Sequence, residues 1–387
     1  MINTSLSSLF VRSFTGSFYE GSYGIRMKFR FCSFSKFIGT VVVIRTQGNS
    51  ILQSSFSDII GRAVVLDEID SKLESLSFNS RQIMSGECNL VKWCSFLKVN
   101  TLANRGALYV SPGTLTFEAD HCFFAHCYST SGCSGLFSFA KTGTILFCCF
   151  ENCSSSYVPS SGDGGNSVCV YNSNMTNIKS CCLVNCGHLY SYTHGAMNIY
   201  NSGVGLSLCN FTKCRGRTQI TYSCALVLAS VIDVISKFNV FQANFYGSCL
   251  TYSSPKQRVL EQFVFCNNTT YDLGIVYMGA SNLRFEESNF LWNDKYLYYQ
   301  SVSGSKIEFS FCSFDISSSS SFSLAASLKN HQFINCTFST IRTMQNMDKI
   351  LTQKCLLLYE RDSSNSQRFA YSINHIPWML FFQYSEL

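Results

Sequence analysis

Proline and charged residues are the scarce components of this sequence. Its 387 residues include only 4 prolines, and Asp, Glu, Lys and Arg together make up 13%. Disorder requires low hydrophobicity and high charge, so the composition excludes a disordered chain. The near absence of proline fits long β-ladders, because proline has no backbone N–H to donate to an interior strand.

Long apolar runs and basic clusters are scarce as well. The most apolar window, residues 224–235, is too short to cross a bilayer and contains Asp233. The first twenty residues show neither the basic start nor the apolar stretch of a signal peptide. The net charge of +6 is spread thinly, with RGR at 215–217 as its densest spot, which predicts no nucleic-acid partner. The sequence therefore predicts no transmembrane span and leaves the localisation open.

Phenylalanine and cysteine are the abundant components. Hydrophobic residues make up 46% of the chain, with 34 Phe, 20 Tyr and 21 Cys. This composition favours short strands separated by polar turns over helices. Because the number of cysteines is odd, at least one thiol has no intrachain partner. Disulfides and buried thiols both explain so many cysteines, and we favour mostly reduced, packed thiols.

The motif Cys-x-Phe recurs along the chain at a nearly constant interval. Thirteen copies, seven strict and six looser, follow one another at a mean spacing of about 25 residues. Such a period predicts a repeat architecture in which equivalent side chains stack. The predicted core ladder comprises Cys32, Phe34, Cys94, Phe96, Cys122, Phe124, Cys148, Phe150, Cys181, Leu183, Cys209, Phe211, Phe241, Cys266, Phe290, Cys312, Phe314, Cys336 and Phe338.

The stretch GLSLCNFTKC, residues 205–214, indicates how one coil is built. Leu206 and Leu208 lie on one parity, whereas Cys209 and Phe211 lie on the other. A straight strand cannot bury both pairs on one side, because a slip of one residue reverses the face. A corner or bulge resets the phase, so that each pair points inward from its own wall. The sequence therefore predicts an all-β fold, a parallel β-helix of about 13 coils.

The repeat divides the chain into three predicted parts. Residues 1–24 form an N-terminal cap or an incomplete first coil, and residues 25–341 form the repeat domain. Residues 342–387, where the pattern fades, form a C-terminal cap or an irregular tail. Caps are expected because a solenoid has open ends that need cover.

Two further motifs carry a resemblance to known families. The segments GDGGNSVCVY, HGAMNIY and RGALYV resemble degenerate copies of the GGAI motif in chlamydial polymorphic outer-membrane passenger repeats. Those repeats also carry FxxN, which Phe241–x–x–Asn244 matches; Phe124–x–x–Cys127 is similar to the FxxC of Cys-rich β-helix proteins of trichomonad-type protists. The resemblance covers roughly residues 25–341. It implies the pectin-lyase-like right-handed parallel β-helix and an adhesin-like rod, surface-displayed or secreted, that binds a host-surface protein or a glycan.

Candidate chemistry is sparse. Carbohydrate-active enzymes of this fold need carboxylates that converge from neighbouring coils. The acidic groups at residues 67–70 and at Glu286–Glu287 do not recur one coil away at the same phase. His121–Cys122 and His126–Cys127 suggest zinc only weakly, because adjacent side chains on a strand face opposite sides. The Cys-x4-Cys pairs 122/127, 148/153, 181/186 and 209/214 are either disulfides or buried thiols.

The sequence thus assigns no catalytic residue, cofactor or metal. Our first hypothesis is a non-enzymatic structural or binding rod. The alternatives are a carbohydrate-active enzyme, a polysaccharide lyase or glycoside hydrolase of the pectin-lyase-like class, and a truncated, inactive family member. The ligand, the disulfide connectivity and the oligomeric state stay open.

Overall fold

Short segments with alternating apolar and polar residues form the strands of this protein. Thr142–Leu146 shows the pattern: Gly143 and Ile145 are buried and the three residues between and beside them are half-exposed. In the computed structural model these strands pair in parallel from one coil to the next, which makes an all-β parallel β-solenoid. The parallel solenoid expected from the repeat is confirmed. Within the part of the chain that the structure describes there is no helix.

The structure describes most of the solenoid and two strands of the C-terminal segment. The described residues are 2–15, 19–20, 25–30, 32–44, 50–52, 55–67, 70–74, 77–78, 82–85, 88–101, 106–130, 133–155, 167–171, 174–187, 195–200, 203–215, 223–229, 233–237, 240–242, 244, 248–253, 258–269, 274–279, 282–293, 298–300, 306–315, 331–339, 357–361 and 367–371.

The first wall of the solenoid is a 14-stranded sheet. Each strand lies beside the equivalent strand of the next coil, and the pairing is in register. Its strands are Ile2–Ser7, Ile25–Arg30, Ser50–Leu52, Asp70–Glu74, Cys88–Lys92, Thr116–Asp120, Thr142–Leu146, Met175–Lys179, Gly203–Ser207, Asp233–Lys237, Arg258–Glu261, Leu283–Glu286, Ile307–Ser310 and His331–Ile334.

The second wall carries the phenylalanine of each Cys-x-Phe motif. It belongs to a 24-stranded sheet that it shares with the third wall, because two long strands, Ser33–Ile44 and Ser55–Asp67, run through both. The other strands of the second wall are Phe10–Thr15, Ser77–Phe78, Ser95–Leu97, Phe123–Ala125, Cys149–Glu151, Cys182–Val184, Asn210–Thr212, Val240–Gln242, Val264–Cys266, Asn289–Leu291, Ser313–Phe314 and Thr337–Phe338.

The third wall includes the three segments that resemble the GGAI motif. Its strands, besides the two shared ones, are Tyr19–Glu20, Gln82–Ser85, Leu108–Val110, Leu136–Ser138, Val168–Val170, Met197–Tyr200, Ser223–Ala229, Ser248–Ser253, Val276–Met278 and Tyr298–Gln300. A small sheet of Asn100–Thr101, Tyr128–Ser129 and Ser154–Ser155 follows the second wall, and Leu357–Arg361 pairs antiparallel with Gln367–Tyr371.

A single residue in the left-handed conformation makes each corner around the second wall. Leu208, with φ 57°, separates Gly203–Ser207 from Asn210–Thr212, and Lys213 repeats the device at the far end with φ 54°. In the described residues, all eighteen non-glycine residues with positive φ lie at these two corners. The corner explains the phase break of the sequence. It also corrects one detail: Val204 and Leu206 fill the interior, whereas Leu208 is the half-exposed corner residue.

The corner residue stays within the hydrogen-bond ladder. The backbone N–H of His121 donates to the carbonyl of Leu146, and that of Phe147 donates to the carbonyl of Lys179, each in the following coil. The left-handed conformation costs a non-glycine residue on the order of 1–2 kcal/mol. Because its backbone donor is satisfied and its side chain faces outward, polar, charged and aromatic residues are all accommodated there, whereas none of the eighteen is β-branched.

Candidate functional site

The phenylalanines of the repeat stack in one interior. Phe124 lies between Phe96 and Phe150, with ring centroids 4.6 and 4.7 Å apart and nearly parallel planes. Leu183 takes the same position in the next coil, between Phe150 and Phe211 in register. The residues of the predicted ladder that belong to this single core are Cys32, Cys94, Phe96, Cys122, Phe124, Cys148, Phe150, Cys181, Leu183, Cys209, Phe211, Phe241, Phe290, Cys312 and Phe314, with Cys336 and Phe338 packed against it.

Two positions of the predicted ladder stand apart. Phe34 lies in Ser33–Ile44 and pairs with Phe56, but its side chain lies outside the described residues. The assignment of Cys266 is wrong. Phe265 pairs with Phe241 and Phe290 and holds the ladder position, so Cys266 falls on the opposite face of the strand. Burial, with a contribution from the charge of Asp315, raises the pKa of Cys266 to about 12.

The motif cysteine lies in the corner, just before the strand of the second wall. The S–H of Cys122 donates to the carbonyl of Val91 in the preceding coil, at 3.4 Å, and Cys148 does the same to Ala119 at 3.6 Å. These thiols therefore act as buried hydrogen-bond donors that join adjacent coils. The Cys-x4-Cys pairs are not bridged by disulfides: the two members of each pair lie at the two corners on either side of the second wall.

The cysteine of FxxC and the asparagine of FxxN make equivalent hydrogen bonds to the backbone at the second corner. The thiol of Cys186 donates to the carbonyl of Phe150, at 3.3 Å, and accepts from the backbone N–H of Cys153. Asn244 makes the same two contacts: its Nδ2 donates to the carbonyl of Phe211 at 3.0 Å, and its Oδ1 accepts from the backbone N–H of Cys214 at 2.8 Å. Asparagine replaces cysteine in the later coils because it satisfies the same backbone groups.

Replacing Cys186 with asparagine is therefore expected to change the free energy of unfolding by less than about 1 kcal/mol. Cys186→Val, of similar size but without a donor or acceptor, is expected to cost about 1–3 kcal/mol, since it removes the hydrogen bond from the thiol to the Phe150 carbonyl and leaves the Cys153 N–H without its acceptor. Denaturant unfolding of the two variants measures the difference. Equal losses in both would contradict the assigned role.

The thiols of Cys153 and Cys186, at the second corner, are unsuited to nucleophilic chemistry. Cys153 and Cys186 are fully buried, and burial raises the pKa of each thiol well above its ordinary value. The thiolate, not the thiol, is the nucleophile and the metal ligand, so a raised pKa suppresses both roles. Within the described residues, no group of three or more His, Cys, Asp or Glu side chains is placed to hold a metal ion. His121 lies on the outside of the corner and Cys122 in the core.

A row of aromatic side chains projects from the first corner of three consecutive coils. We call Trp93, His121 and Phe147 the corner aromatic row. Their ring centroids are 3.9 Å apart between Trp93 and His121, and 4.7 Å apart between His121 and Phe147. Phe147 is 39% exposed, and the His121 side chain is 28% exposed. The left-handed corner places these rings side by side at the spacing of the coils.

A buried carboxylate holds the row in place. Asp120 is only 6% exposed, and its two oxygens contact Lys92 Nζ at 2.8 Å and His121 Nδ1 at 2.5 Å. An ionised carboxylate only accepts, so the hydrogen in this contact lies on Nδ1 of His121. The cluster thus combines a cation, an oriented imidazole, the half-exposed ring of Trp93 and the exposed ring of Phe147.

A second aromatic row lies at the end of the third wall. Phe139, Tyr171 and Tyr200 are half-exposed and stack with centroids 5.4 and 4.7 Å apart. They pack on a buried cluster outside the main core that includes Tyr109, Phe137 and Cys169. Stacking of this kind contributes about 0.5–1.5 kcal/mol per pair beyond burial, which rigidifies the row.

Sequence reasoning missed both rows. The signal for the first was present, since Trp, His and Phe directly precede the motif cysteine in WCSF, HCFF and FCCF. Its meaning depends on the left-handed corner, which turns the residue before each cysteine outward. Of the carboxyl groups singled out from the sequence, those of Glu286 and Glu287 are engaged locally, and the side chains at 67–70 lie outside the described residues. Glu286 lies 3.5 Å from Arg284, and Glu287 accepts from Gln262.

The fold and these clusters define the class of the protein as a cysteine-rich, all-β parallel β-solenoid. Comparison with models of known protein families and with curated proteins finds no match. No helix within the described residues has the length and apolarity to cross a membrane.

Proposed function

We propose that this protein is a non-enzymatic binding rod, a right-handed parallel β-helix of about 13 coils of the pectin-lyase-like type. In this proposal it is displayed on a cell surface or secreted, and it binds a glycan or a protein through the corner aromatic row. The observation that carries the proposal is the row itself: Trp93, His121 and Phe147 stack at the outside of successive coils, and buried Asp120 holds the central ring, His121.

The chemistry of the row supports binding more than turnover. Trp and other large rings beside a cation are the side chains that dominate binding energy at interfaces. The row offers one carboxylate, Asp120, which is buried and already contacts Lys92 and His121. Glycoside hydrolysis needs two carboxyl groups that flank the substrate, so a single occupied one does not supply that mechanism.

The proposal is tested with the full chain against immobilised mucin-type and pectic glycans and host-surface glycoproteins. The double variant Trp93→Ala with Phe147→Ala is expected to lose at least about tenfold in affinity. Phe311→Ala is the matched control, because Phe311 is another exposed corner phenylalanine, 40% exposed and outside the row. Its affinity is expected to equal that of the wild type.

Product detection on the same glycans separates the two main functions. Release of unsaturated or reducing ends by the wild type would favour the carbohydrate-active enzyme and defeat the binding rod. Equal affinity of the wild type and the double variant would show that the binding surface does not include the corner aromatic row.

A further inference from the structure

Two overlapping acceptor motifs for N-linked glycosylation, Asn-x-Thr, lie at the second corner of one coil. The sequence Asn267-Asn268-Thr269-Thr270 contains one motif that begins at Asn267 and another that begins at Asn268. A glycan is bulky and hydrated, so a folded protein carries it only on an asparagine whose side chain reaches solvent. The structure separates these two asparagines by that criterion, although they are adjacent in the chain.

The side chain of Asn268 is buried and hydrogen-bonded through both of its polar atoms. It is 1% exposed, and its Nδ2 donates to the carbonyl of Phe241 at 3.0 Å and to Oδ1 of Asn293 at 2.9 Å. Its Oδ1 accepts from Nδ2 of Asn244 at 2.9 Å. A glycan would replace one of the two Nδ2 hydrogens, both of which already donate, and would need space inside the solenoid. The fold therefore excludes Asn268 as the glycosylated residue.

Asn267 lies on the outside of the same corner. It is exposed and has φ 51°, a conformation that asparagine adopts more readily than most other residues. Its backbone N–H donates to the carbonyl of Leu291 at 2.9 Å, so the ladder fixes the backbone while the side chain stays in solvent. Thr269, which supplies the hydroxyl of this motif, is exposed as well. The motif that begins at Asn267 thus has both of its recognised side chains on the surface.

The corner residue of the next coil provides an apolar surface for a sugar. Trp292 has φ 50°, occupies the second corner and is 50% exposed. Cys266 and Leu291 pair in register, so the residues that follow them, Asn267 and Trp292, lie about 4.8 Å apart along the rod. The C–H groups on one face of a pyranose are apolar and can pack on an indole ring, which buries a large apolar surface. A sugar on Asn267 is therefore placed to cover Trp292.

We propose that Asn267 carries an N-linked glycan and that the first sugar of this glycan packs on Trp292. The proposal rests on the secretion or surface display proposed above, because the lipid diphosphate-linked oligosaccharide donor and its transferase act on chains that enter a secretory compartment. In the transfer, Nδ2 of Asn267 forms a bond to C1 of the first sugar and loses one proton. The bond from C1 to the diphosphate oxygen breaks, and the lipid diphosphate leaves with its electron pair.

Site mapping in the full chain, secreted from a eukaryotic host with a cleavable leader, tests the acceptor residue. Peptide N-glycosidase in ¹⁸O-water converts a glycosylated asparagine to labelled aspartate, which mass spectrometry locates. The wild type is expected to carry the label at residue 267 and not at residue 268. Thr269→Ala removes the motif of Asn267, keeps that of Asn268, and is expected to lose the label from this pair. Thr270→Ala removes only the motif of Asn268 and, as the matched control, is expected to keep the label at residue 267.

Two outcomes of the mapping would overturn the proposal. One is an unlabelled Asn267 in the secreted wild type, and the other is a label at residue 268 in folded Thr269→Ala. Neither outcome involves ligand binding, so they are distinct from a failure of the binding rod, which is measured by the affinity of the corner aromatic row.

Oxidative footprinting tests the contact with the ring. Enzymatic removal of the glycan from the folded protein is expected to raise the hydroxyl-radical oxidation rate of Trp292 at least about twofold, since this residue is half-exposed without a sugar. Trp93, at the first corner of a distant coil, is expected to keep its rate and serves as the internal control. An unchanged rate at Trp292 would contradict the packing of the sugar on its ring.

Discussion

Replacing Phe150 with alanine is expected to lower the free energy of unfolding by about 3–5 kcal/mol. Phe150 is fully buried and lies in the interior stack between Phe124 and Leu183. Removing its ring leaves a cavity that the neighbouring coils cannot close, because their backbones are fixed by the parallel ladders on each side. Denaturant unfolding, followed by far-UV circular dichroism, measures the loss.

The control for this prediction is Phe150→Leu. Leucine already occupies the same ladder position in the next coil, at Leu183, so the shape fits the stack with a small void. The expected cost is less than about 2 kcal/mol. If the alanine and leucine variants were equally stable, Phe150 would not be part of a close-packed interior.

Gly135→Ala is expected to cost about 3 kcal/mol through backbone overlap. A Cβ at this position would lie 2.5 Å from the carbonyl oxygen of Ser167 in the next coil. That oxygen accepts hydrogen bonds from the N–H groups of Gly135 and Leu136, so it cannot move away without breaking the ladder. Gly106 stands in the same relation to Gly135, at 2.4 Å. The glycine of the GGAI-like segments is thus required by the close approach of stacked backbones.

Gly205→Ala is the matched control, because the added Cβ would overlap a side chain and not the backbone. Its Cβ would meet the Oδ1 of Asn177 at 2.6 Å, but Asn177 is an exposed side chain that can rotate. We expect a change of less than about 1 kcal/mol in the same unfolding experiment. A cost equal to that of Gly135→Ala would show that both glycines serve backbone flexibility rather than close approach.

The repeat was sufficient to predict the parallel solenoid and much of its register. Cys-x-Phe recurs because Phe fills the interior and Cys donates to a carbonyl of the preceding coil, so the motif reports both packing and hydrogen bonding. The same reasoning failed at Cys266, where matching the cysteine selected the wrong residue and Phe265 holds the position. Side-chain identity is a weaker guide there than apolar alternation.

The candidate site was less accessible to sequence reasoning. No single residue type marks the left-handed corner, since Trp93, His121 and Leu208 all occupy it. Alternation alone assigns each residue to the inner or the outer face of a strand. The corner residues lie between two strands, so alternation does not place them. The contact between Asp120 and Lys92 joins positions in neighbouring coils, which a linear pattern does not bring together.

The corner conformation separates the side chains on the outside of the solenoid from the side chains that stabilise its core. Tryptophan, serine, glutamate and asparagine all occupy equivalent corner positions. The next residue in the chain is the motif cysteine in three of these corners and a serine after the glutamate. Exchanges there alter the exterior and leave the interior untouched, so a mutation at a corner does not need a second one that restores stability. The corners thus place side chains about 4.8 Å apart along a line, and each can be exchanged without a change in the core.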